Sequence, residues 1–440
     1  MINELFETKD YAAIRQALRE MNPVDIAEEF EELEDADAVR VFRMLPKDTA
    51  ADVFAYLSSD TQQGIVSKIK DAEITNVIGD MFLDDAVDFI EEMPAGLVSR
   101  VLANISAEQR NLINRFLKYP ENSAGSVMTI EYISLKEHIT VSAAFEKIRR
   151  EGIDSETIYT CYVTDAERRL LGDVSAKTLL LASPDAKVGE IMDTAVISAK
   201  TMDDREEIAN EFRKYGLLAM PVVDNERRIV GIVTVDDVMT IQEEEATEDF
   251  ELMAAMSPSE DPYLKTSVWV LTKNRVLWLM LLMLSATVTG SIISGFEDAL
   301  AALPLLVAFI PMLMDTGGNA GSQSSTLIIR GMALDEVELG DVFKVMWIEL
   351  RVSMLCGAAL AAVNFLRILV MNRDAVLGLT VSLALFATVV LAKLVGCMLP
   401  MGAKKLHWDP AVMASPVITT IVDAGALLLY FAIARALMGV

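Results

Sequence analysis

Asp315-Thr-Gly-Gly-Asn-Ala-Gly-Ser-Gln-Ser-Ser-Thr326 follows directly on an apolar run, residues 300–314, and leads into Leu327-Ile-Ile329. This is a polar, glycine-rich stretch embedded in hydrocarbon-like sequence. In a lipid core a polar group without a partner costs several kcal/mol. Such a stretch is therefore tolerated only where it lines a cavity or packs closely against protein. Its apolar surroundings have membrane length. Residues 276–296 carry no charge and match one bilayer crossing. The apolar run and the polar stretch, 300–329, give a second crossing, with a Gly317-Gly-Asn319 turn expected after Asp315. Residues 347–369, with Glu349 and Arg351 near one end, give a third. Residues 375–392, extended across Lys393 to Pro400, give a fourth, and 411–434, interrupted by Asp423, a fifth.

Five crossings place the termini on opposite sides. Lys and Arg in short loops set which is which. Lys265, Lys273 and Arg275 precede the first crossing, Arg330 and Lys344 separate the second from the third, and Lys404 and Lys405 separate the fourth from the fifth. The opposite side has only Arg367, Arg373 and Arg435. This bias predicts a cytosolic N-terminus and an outside C-terminus in a multi-pass inner-membrane protein. The opening MINELFETKD, which lacks a basic flank followed by an apolar stretch, agrees.

The other half of the 440 residues is acidic. Residues 1–259 carry a net charge of −26 and residues 260–440 a net charge of −1. That division reconciles a mean hydropathy of +0.35 with a charged fraction of 23%. An acidic region repels nucleic acid and anionic lipid and attracts cations. Three cysteines without a CxxC pair and two histidines leave little for disulfide, thiolate-metal or imidazole chemistry. No Ser/His/Asp set, phosphate-cradling loop or HExxH motif is present, so the chain does not read as an enzyme.

Two carboxylates lie at membrane depth, Asp315 and Asp423. A charge there is costly unless it is paired or hydrated. One reading pairs Asp423 with a basic residue on another helix, for example Lys393; the other makes Asp423 part of an ion pathway. Pro416-Val-Ile-Thr-Thr420-Ile-Val-Asp423 supports the pathway. It combines an expected kink and a freed carbonyl at Pro416 with a hydroxyl at Thr420, three residues and one helix face away from Asp423. Carbonyl, hydroxyl and carboxylate oxygens are hard ligands that suit Mg²⁺. They suit Co²⁺ and Mn²⁺ as well, and they fit a carrier as readily as a channel.

Gly317-Gly-Asn-Ala-Gly-Ser-Gln-Ser-Ser-Thr-Leu-Ile-Ile-Arg330-Gly331 resembles the signature of MgtE-type magnesium channels. Asp409-Pro-Ala411 followed by Pro416, Thr420 and Asp423 resembles the last helix of that family, and Arg275-Val-Leu-Trp278 the start of its first. The resemblance implies a homodimer with a pore lined by the second and fifth crossings of both subunits. It implies that Asp423 binds Mg²⁺ in the pore, along a path that includes Asp315 and Asn319, and that Asp409 adds charge at the cytosolic mouth.

The acidic half divides in two. Pro23-Val-Asp-Ile-Ala-Glu-Glu-Phe30 and Pro46-Lys-Asp-Thr-Ala-Ala-Asp-Val-Phe54 echo each other, with a looser echo at Leu83-Asp-Asp-Ala-Val-Asp-Phe89. Apolar faces at helical spacing in such repeats predict a short superhelix. After a linker, two βαβ-type units follow. The first runs from Met128-Thr129 to Leu171-Gly-Asp-Val-Ser175, the second from Met192-Asp-Thr194 to Ile229-Val-Gly-Ile-Val-Thr234. Their endings resemble a pair of cystathionine-β-synthase (CBS) domains, related examples of which bind adenine nucleotides. ATP is therefore a possible ligand, with Asp236 near the ribose position. The expected architecture is multidomain: an all-α superhelix (1–118), an α/β CBS pair (119–186 and 187–242), a connecting helix (243–270) and an all-α transmembrane domain of five helices (271–440).

Asp84, Asp85 and Asp88 crowd one helical turn, and Glu243, Glu244, Glu245, Glu248, Asp249 and Glu251 crowd the connecting helix. Like charges at this spacing destabilise a helix. They read either as a solvated face or as carboxylates that close on one another around divalent cations. The family resemblance implies the second, with the connecting helix plugging the pore. By motif position it names Asp84 or Asp85, Asp88, Asp237, Glu245, Glu248 and Asp249 as ligands of regulatory Mg²⁺.

Overall fold

The computed structural model describes residues 2–7, 10–259, 263, 264 and 266–439. Lys265, counted above among the basic residues before the first crossing, lies outside them. The chain divides into two compact units, Met1–Gln242 and Glu243–Val440.

The first unit opens with short helices, α1 (Ile2–Glu7), α2 (Tyr11–Glu20), α3 (Pro23–Phe30), α4 (Asp35–Phe42), α5 (Lys47–Ala55), α6 (Ser59–Lys68), α7 (Asp71–Asp80), α8 (Leu83–Glu92), α9 (Ala95–Asn104) and α10 (Ala107–Phe116). Their starts follow from local chemistry. Asp10, Asn22 and Ser106 accept backbone N–H groups of the first turns of α2, α3 and α10, and Pro23 stands where its missing N–H costs nothing. Packing skips one element: α3 lies on α5, α5 on α7, α7 on α9, and α4 on α6. That is a superhelix, and the repeated phenylalanines form its spine. Phe30, Phe42, Phe54 and Phe89 meet edge to face in sequence. Each ring is buried, contributing roughly 1.5–3 kcal/mol of apolar transfer.

The core continues into the CBS pair. The first repeat contains β1 (Tyr132–Lys136), α11 (Val141–Glu151), β2 (Thr157–Thr164), β3 (Leu170–Ser175) and α12 (Ala176–Leu181). The second contains α13 (Val188–Ile191), β4 (Ala199–Lys200), α14 (Arg205–Tyr215), β5 (Ala219–Val223), β6 (Ile229–Thr234) and the start of α15 (Val235–Met253). Both sheets have one design: a parallel pair, β1–β2 or β4–β5, then an antiparallel pair, β2–β3 or β5–β6. The repeats exchange their leading segments. Thr129 bridges Ile232 of β6, and Asp193 bridges Asp173 of β3. Met128-Thr129, read from sequence as the start of the first repeat, therefore pairs with the second. Met192-Asp193 likewise pairs with the first. Each segment crosses over a strand glycine, Gly231 or Gly172, where a side chain would strike backbone.

The second unit holds the end of α15, then α16 (Val268–Gly295), α17 (Glu297–Ala302), α18 (Ile310–Ala333), α19 (Val342–Asn372), α20 (Ala375–Lys405) and α21 (Ser415–Met438), with 3₁₀ turns at Pro304–Phe309, Leu339–Asp341 and Pro410–Met413. Among the described residues, four segments are long and apolar enough to cross a membrane: Val268–Gly295, Leu339–Asn372, Ala375–Lys405 and Pro410–Met438. Length and apolarity alone do not reach the expected count of five. The second expected crossing is α18, which has membrane length but is interrupted by Asp315, Asn319 and a serine-rich turn. The apolar run before it is not part of one helix, because Pro304 and Pro311 break it into a 3₁₀ turn and a new helix start.

The polar stretch itself is a continuous helix, without the turn expected at Gly317-Gly-Asn319. Close packing explains how it is tolerated. Gly317, Gly318, Ala320, Gly321, Ser324 and Ser325 are buried, and α18 packs on both α20 and α21. A Cβ added at Gly396 of α20 would stand 2.3 Å from the Gly321 carbonyl oxygen, so the two backbones touch.

Candidate functional site: carboxylates at membrane depth and in two acidic clusters

The sequence places Asp423 on α21 two turns after its start. Pro416 lies in the first turn of that helix, where proline is favoured. It starts the helix instead of kinking it, which corrects the sequence reading. Its own carbonyl accepts the hydroxyls of Thr419 (2.9 Å) and Thr420 (3.0 Å). The Thr420 hydroxyl also lies 3.4 Å from that of Ser285 on α16. Thr420 is thus fixed in orientation, with lone pairs left to accept on the face it shares with Asp423.

Val422, immediately before Asp423, is fully buried, and a side chain at Gly317 would strike it. This contact seats the Asp423 turn against α18. Asp423 is half-buried, and among the described residues it has no hydrogen-bond or ion-pair partner. The alternative pairing with Lys393 does not form, because Lys393 is engaged by Glu349 and Ser324. Asp315 and Asn319 sit one turn apart on α18, both exposed, on the side away from buried Gly317 and Gly321.

A second acidic group belongs to the same unit. Asp249 of α15 is pushed up to about 6, first by desolvation and then by Asp409, Glu245 and Glu248, with Arg330 acting in the other direction. Leu252 and Met253, one turn further on, pack against Ile329, Ala411 and Ala414. The last turn of the connecting helix therefore rests on the end of α18 and the approach to α21. Asp409 is exposed, and its carboxylate accepts the Ala411 N–H at 2.7 Å, so it also shapes the turn before α21.

The third group lies in the first unit. Asp84 is buried, 8% exposed, and its carboxyl is pushed well up by desolvation and then by Asp237, Asp85 and Glu156. Asp85 is pushed up to about 6 by desolvation and then by Asp237, Asp236, Asp52 and Glu131. Asp88, exposed at the rim, is pushed up to about 7 by desolvation and then by Asp85, Glu91 and Glu92. Glu156 is pushed up to about 7 by desolvation and then by Asp236, Asp237 and Asp85, and its Oε2 is buried without a partner. Asp237 is held by Thr234, whose hydroxyl donates to it at 2.5 Å, yet burial still raises it.

The fold thus brings Asp84, Asp85, Asp236 and Asp237 together, as carboxylates that repel. It adds Glu156, Glu131 and Asp52, which sequence reasoning missed. These three come from α5 and from the segments flanking β1 and β2, and no local spacing links them to α8. Glu245, Glu248 and Asp249 belong to the other unit. Among the described residues no three His, Cys, Asp or Glu side chains are gathered closely enough to hold a metal ion. The expected ligands are therefore clustered without being assembled into a closed coordination shell.

Comparison with known proteins finds three family models along the chain. A model of the MgtE divalent cation transporter matches residues 310–433, one of the MgtE intracellular N domain matches 21–122, and one of the CBS domain matches 124–185 and 188–244. A magnesium transporter MgtE of Thermus thermophilus is 37% identical over 81% of this chain and 79% of its own length. Another from Bacillus subtilis is 34% identical over 84% of this chain and 82% of its own. The crystallised cytosolic domain of the Mg²⁺ channel MgtE in complex with ATP superimposes with a TM-score of 0.52 at 34% identity. It covers 55% of this chain and 98% of that one. The chain belongs to the MgtE family of divalent cation transporters.

Proposed function

We propose that the chain is a homodimeric Mg²⁺ channel of the cell membrane, conducting past Asp423 and closed by Mg²⁺ bound to its acidic cytosolic region. The observation that carries this reading is the half-buried carboxylate of Asp423, without a partner among the described residues, on a helix of membrane length. A charge in that position is retained where an ion or water compensates it. Mg²⁺ gives up its waters reluctantly, so a carboxylate beside the Thr420 hydroxyl grips the hydrated ion through its water shell. A second subunit would close the pathway from the other side, with Asp315 and Asn319 lining it and Asp409 drawing cations to the mouth.

The basic residues support a cytosolic N-terminus. Lys273 and Arg275 open α16, Arg330 ends α18, Lys344 opens α19, and Lys404 and Lys405 end α20. Closure follows from the clusters. The carboxylates around Asp84, Asp85, Asp88 and Asp237 repel within their own cluster, and those at Glu245, Glu248 and Asp249 within theirs, when no cation stands among them. A state that brings them together gains affinity for Mg²⁺, and Mg²⁺ in turn favours that state.

A nucleotide is a further candidate ligand of the CBS pair. Asp236 is an acceptor suited to ribose hydroxyls, while its acidic neighbours Asp85 and Glu156 disfavour a triphosphate beside it. The second functional reading is a carrier for another divalent cation, Co²⁺ or Mn²⁺, which the same oxygen ligands accommodate. Complementation of a Mg²⁺-auxotrophic strain tests the first reading. Asp423→Ala is expected to fail at wild-type expression, and growth equal to the wild type would sink it. Single-channel recording with Mg²⁺, Co²⁺ and Mn²⁺ separates the two.

A further inference from the structure

Glu349 of α19, Lys393 of α20 and Ser324 of α18 meet inside the membrane unit, and none of them faces solvent: they are 8%, 6% and 0% exposed. The Lys393 Nζ lies 4.0 Å from Glu349 Oε2. The Ser324 hydroxyl donates to the same Oε2 at 2.6 Å and accepts from Lys393 at 3.2 Å. One carboxylate, one ammonium and one hydroxyl thus close on each other across three helices. We propose that this triad is a positioning lock, which fixes α18 along α20 and so holds the glycine face of α18 against the Asp423 helix.

The geometry around it gives the lock something to position. Gly321 lies one turn before Ser324, on the same face of α18. Its backbone touches Gly396, one turn after Lys393, and a Cβ on Gly321 would meet the Ala392 carbonyl, just before Lys393. On its other side Gly321 faces Ile418, and Gly317 faces Val422, the neighbour of Asp423. A slide of α18 along α20 would therefore lift Gly317 and Gly321 off α21 and release the turn that carries Asp423. Glycine contacts alone resist such a slide weakly, since flat backbone surfaces have few ridges. A three-way polar contact between fixed positions resists it in register. Two buried opposite charges are seldom needed for stability, because apolar side chains of similar volume often do as well. Setting register is the best-attested use of such a pair.

The inference rests on the reading of α21 as the ion-conducting helix, and its test separates the two. Mg²⁺ flux and thermal stability are measured for the purified full-length protein in liposomes. The variants are the neutral pair Glu349→Gln with Lys393→Met and the exchanged pair Glu349→Lys with Lys393→Glu. The neutral pair leaves no uncompensated charge, so it is expected to melt close to the wild type. Without the lock, its half-saturating Mg²⁺ should shift by about threefold or more and its maximal flux fall by about tenfold. The exchanged pair should bring both values back toward the wild type. A folded neutral pair with wild-type flux and half-saturation overturns the proposal and leaves the triad a structural contact only. So does a folded exchanged pair no better than the neutral one. If the exchanged pair does not fold, the neutral pair decides alone. Absence of Mg²⁺ flux in the wild type itself would count against the functional reading, while non-additive melting temperatures across single and double variants would still report the triad.

Discussion

Lys393 and Glu349 pair across α20 and α19, Nζ to Oε2 at 4.0 Å, and this pairing engages the basic residue considered above as a partner for Asp423. Removing one partner of a buried pair leaves the other charge uncompensated, at a cost of about 3–5 kcal/mol. Lys393→Met alone should therefore lower the melting temperature of the detergent-solubilised protein markedly. An unchanged melting temperature would mean that Glu349 is hydrated or protonated and that the pair is not formed.

The acidic cluster of the first unit makes stability depend on pH. Asp85, Asp88 and Glu156 are raised to about 6, 7 and 7 in the folded chain. In the unfolded chain such groups titrate at about 4. The folded state therefore binds more protons than the unfolded state between about pH 4 and pH 7. The stabilisation is fully present below about pH 4 and is lost as pH rises through about 7. Hydrogen exchange in α8 of the full-length protein, held in chelator and corrected for intrinsic rates, should show weaker protection at pH 8 than at pH 5. Millimolar Mg²⁺ should restore it at pH 8. Equal protection at both values would contradict the mutual repulsion described for the cluster.

Backbone contact between Gly321 and Gly396 predicts an asymmetric response to a single methyl group. Gly396→Ala places a Cβ against backbone that cannot rotate away, and overpacking of this kind costs about 1–3 kcal/mol. Gly402→Ala, on the same helix, meets nothing within 4 Å and should be neutral. Melting curves of the two variants read the difference directly. Equal melting temperatures would mean that α18 and α20 are not in contact there.

Much of this was legible in the sequence, and the exceptions have physical causes. The apolar lengths of α16, α19, α20 and α21, the helical echo that became the Phe30–Phe42–Phe54–Phe89 spine, and the doubled CBS pattern all rest on local periodicity. Periodicity does not say which partner a segment takes. Met128-Thr129 takes its strand partner in the second repeat, a pairing that leaves no local mark in the sequence. Gly317-Gly-Asn319 was read as a turn because glycine in an isolated helix is unfavourable. Packing against Thr388, Val422 and Thr419 makes it an asset instead. Pro416 was read as a kink because its place in the helix depends on the 3₁₀ turn before it. Glu156, Glu131 and Asp52 could not be seen joining Asp84 and Asp85, because only the tertiary fold brings those segments together.

Neutralising the cluster should change gating. If the proposed gating holds, Asp84→Asn, Asp85→Asn and Asp88→Asn together should lower the affinity of the closed state for Mg²⁺ and should also relieve repulsion in the cation-free protein, which acts in the opposite direction. Moving a two-state equilibrium from 1:99 to 99:1 takes about 5.5 kcal/mol of differential binding, a sum that several weak sites supply. At millimolar Mg²⁺ the loss of binding should dominate, so the triple variant stays open where the wild type closes. Open probability in inside-out patches against cytosolic Mg²⁺ checks this. Closure of the variant at the same or lower Mg²⁺ would leave the cluster as a solvated face.

As proposed above, the Asp423 carboxylate binds the conducted ion. Mg²⁺ influx into liposomes containing purified protein, wild type beside Asp423→Ala and Asp423→Asn, tests it most directly. Both variants should elute and melt like the wild type, because among the described residues the side chain has no hydrogen-bond or ion-pair partner, and both should lose influx by about a hundredfold or more, which corresponds to about 2.7 kcal/mol. Influx within a few-fold of the wild type in either folded variant would contradict the account.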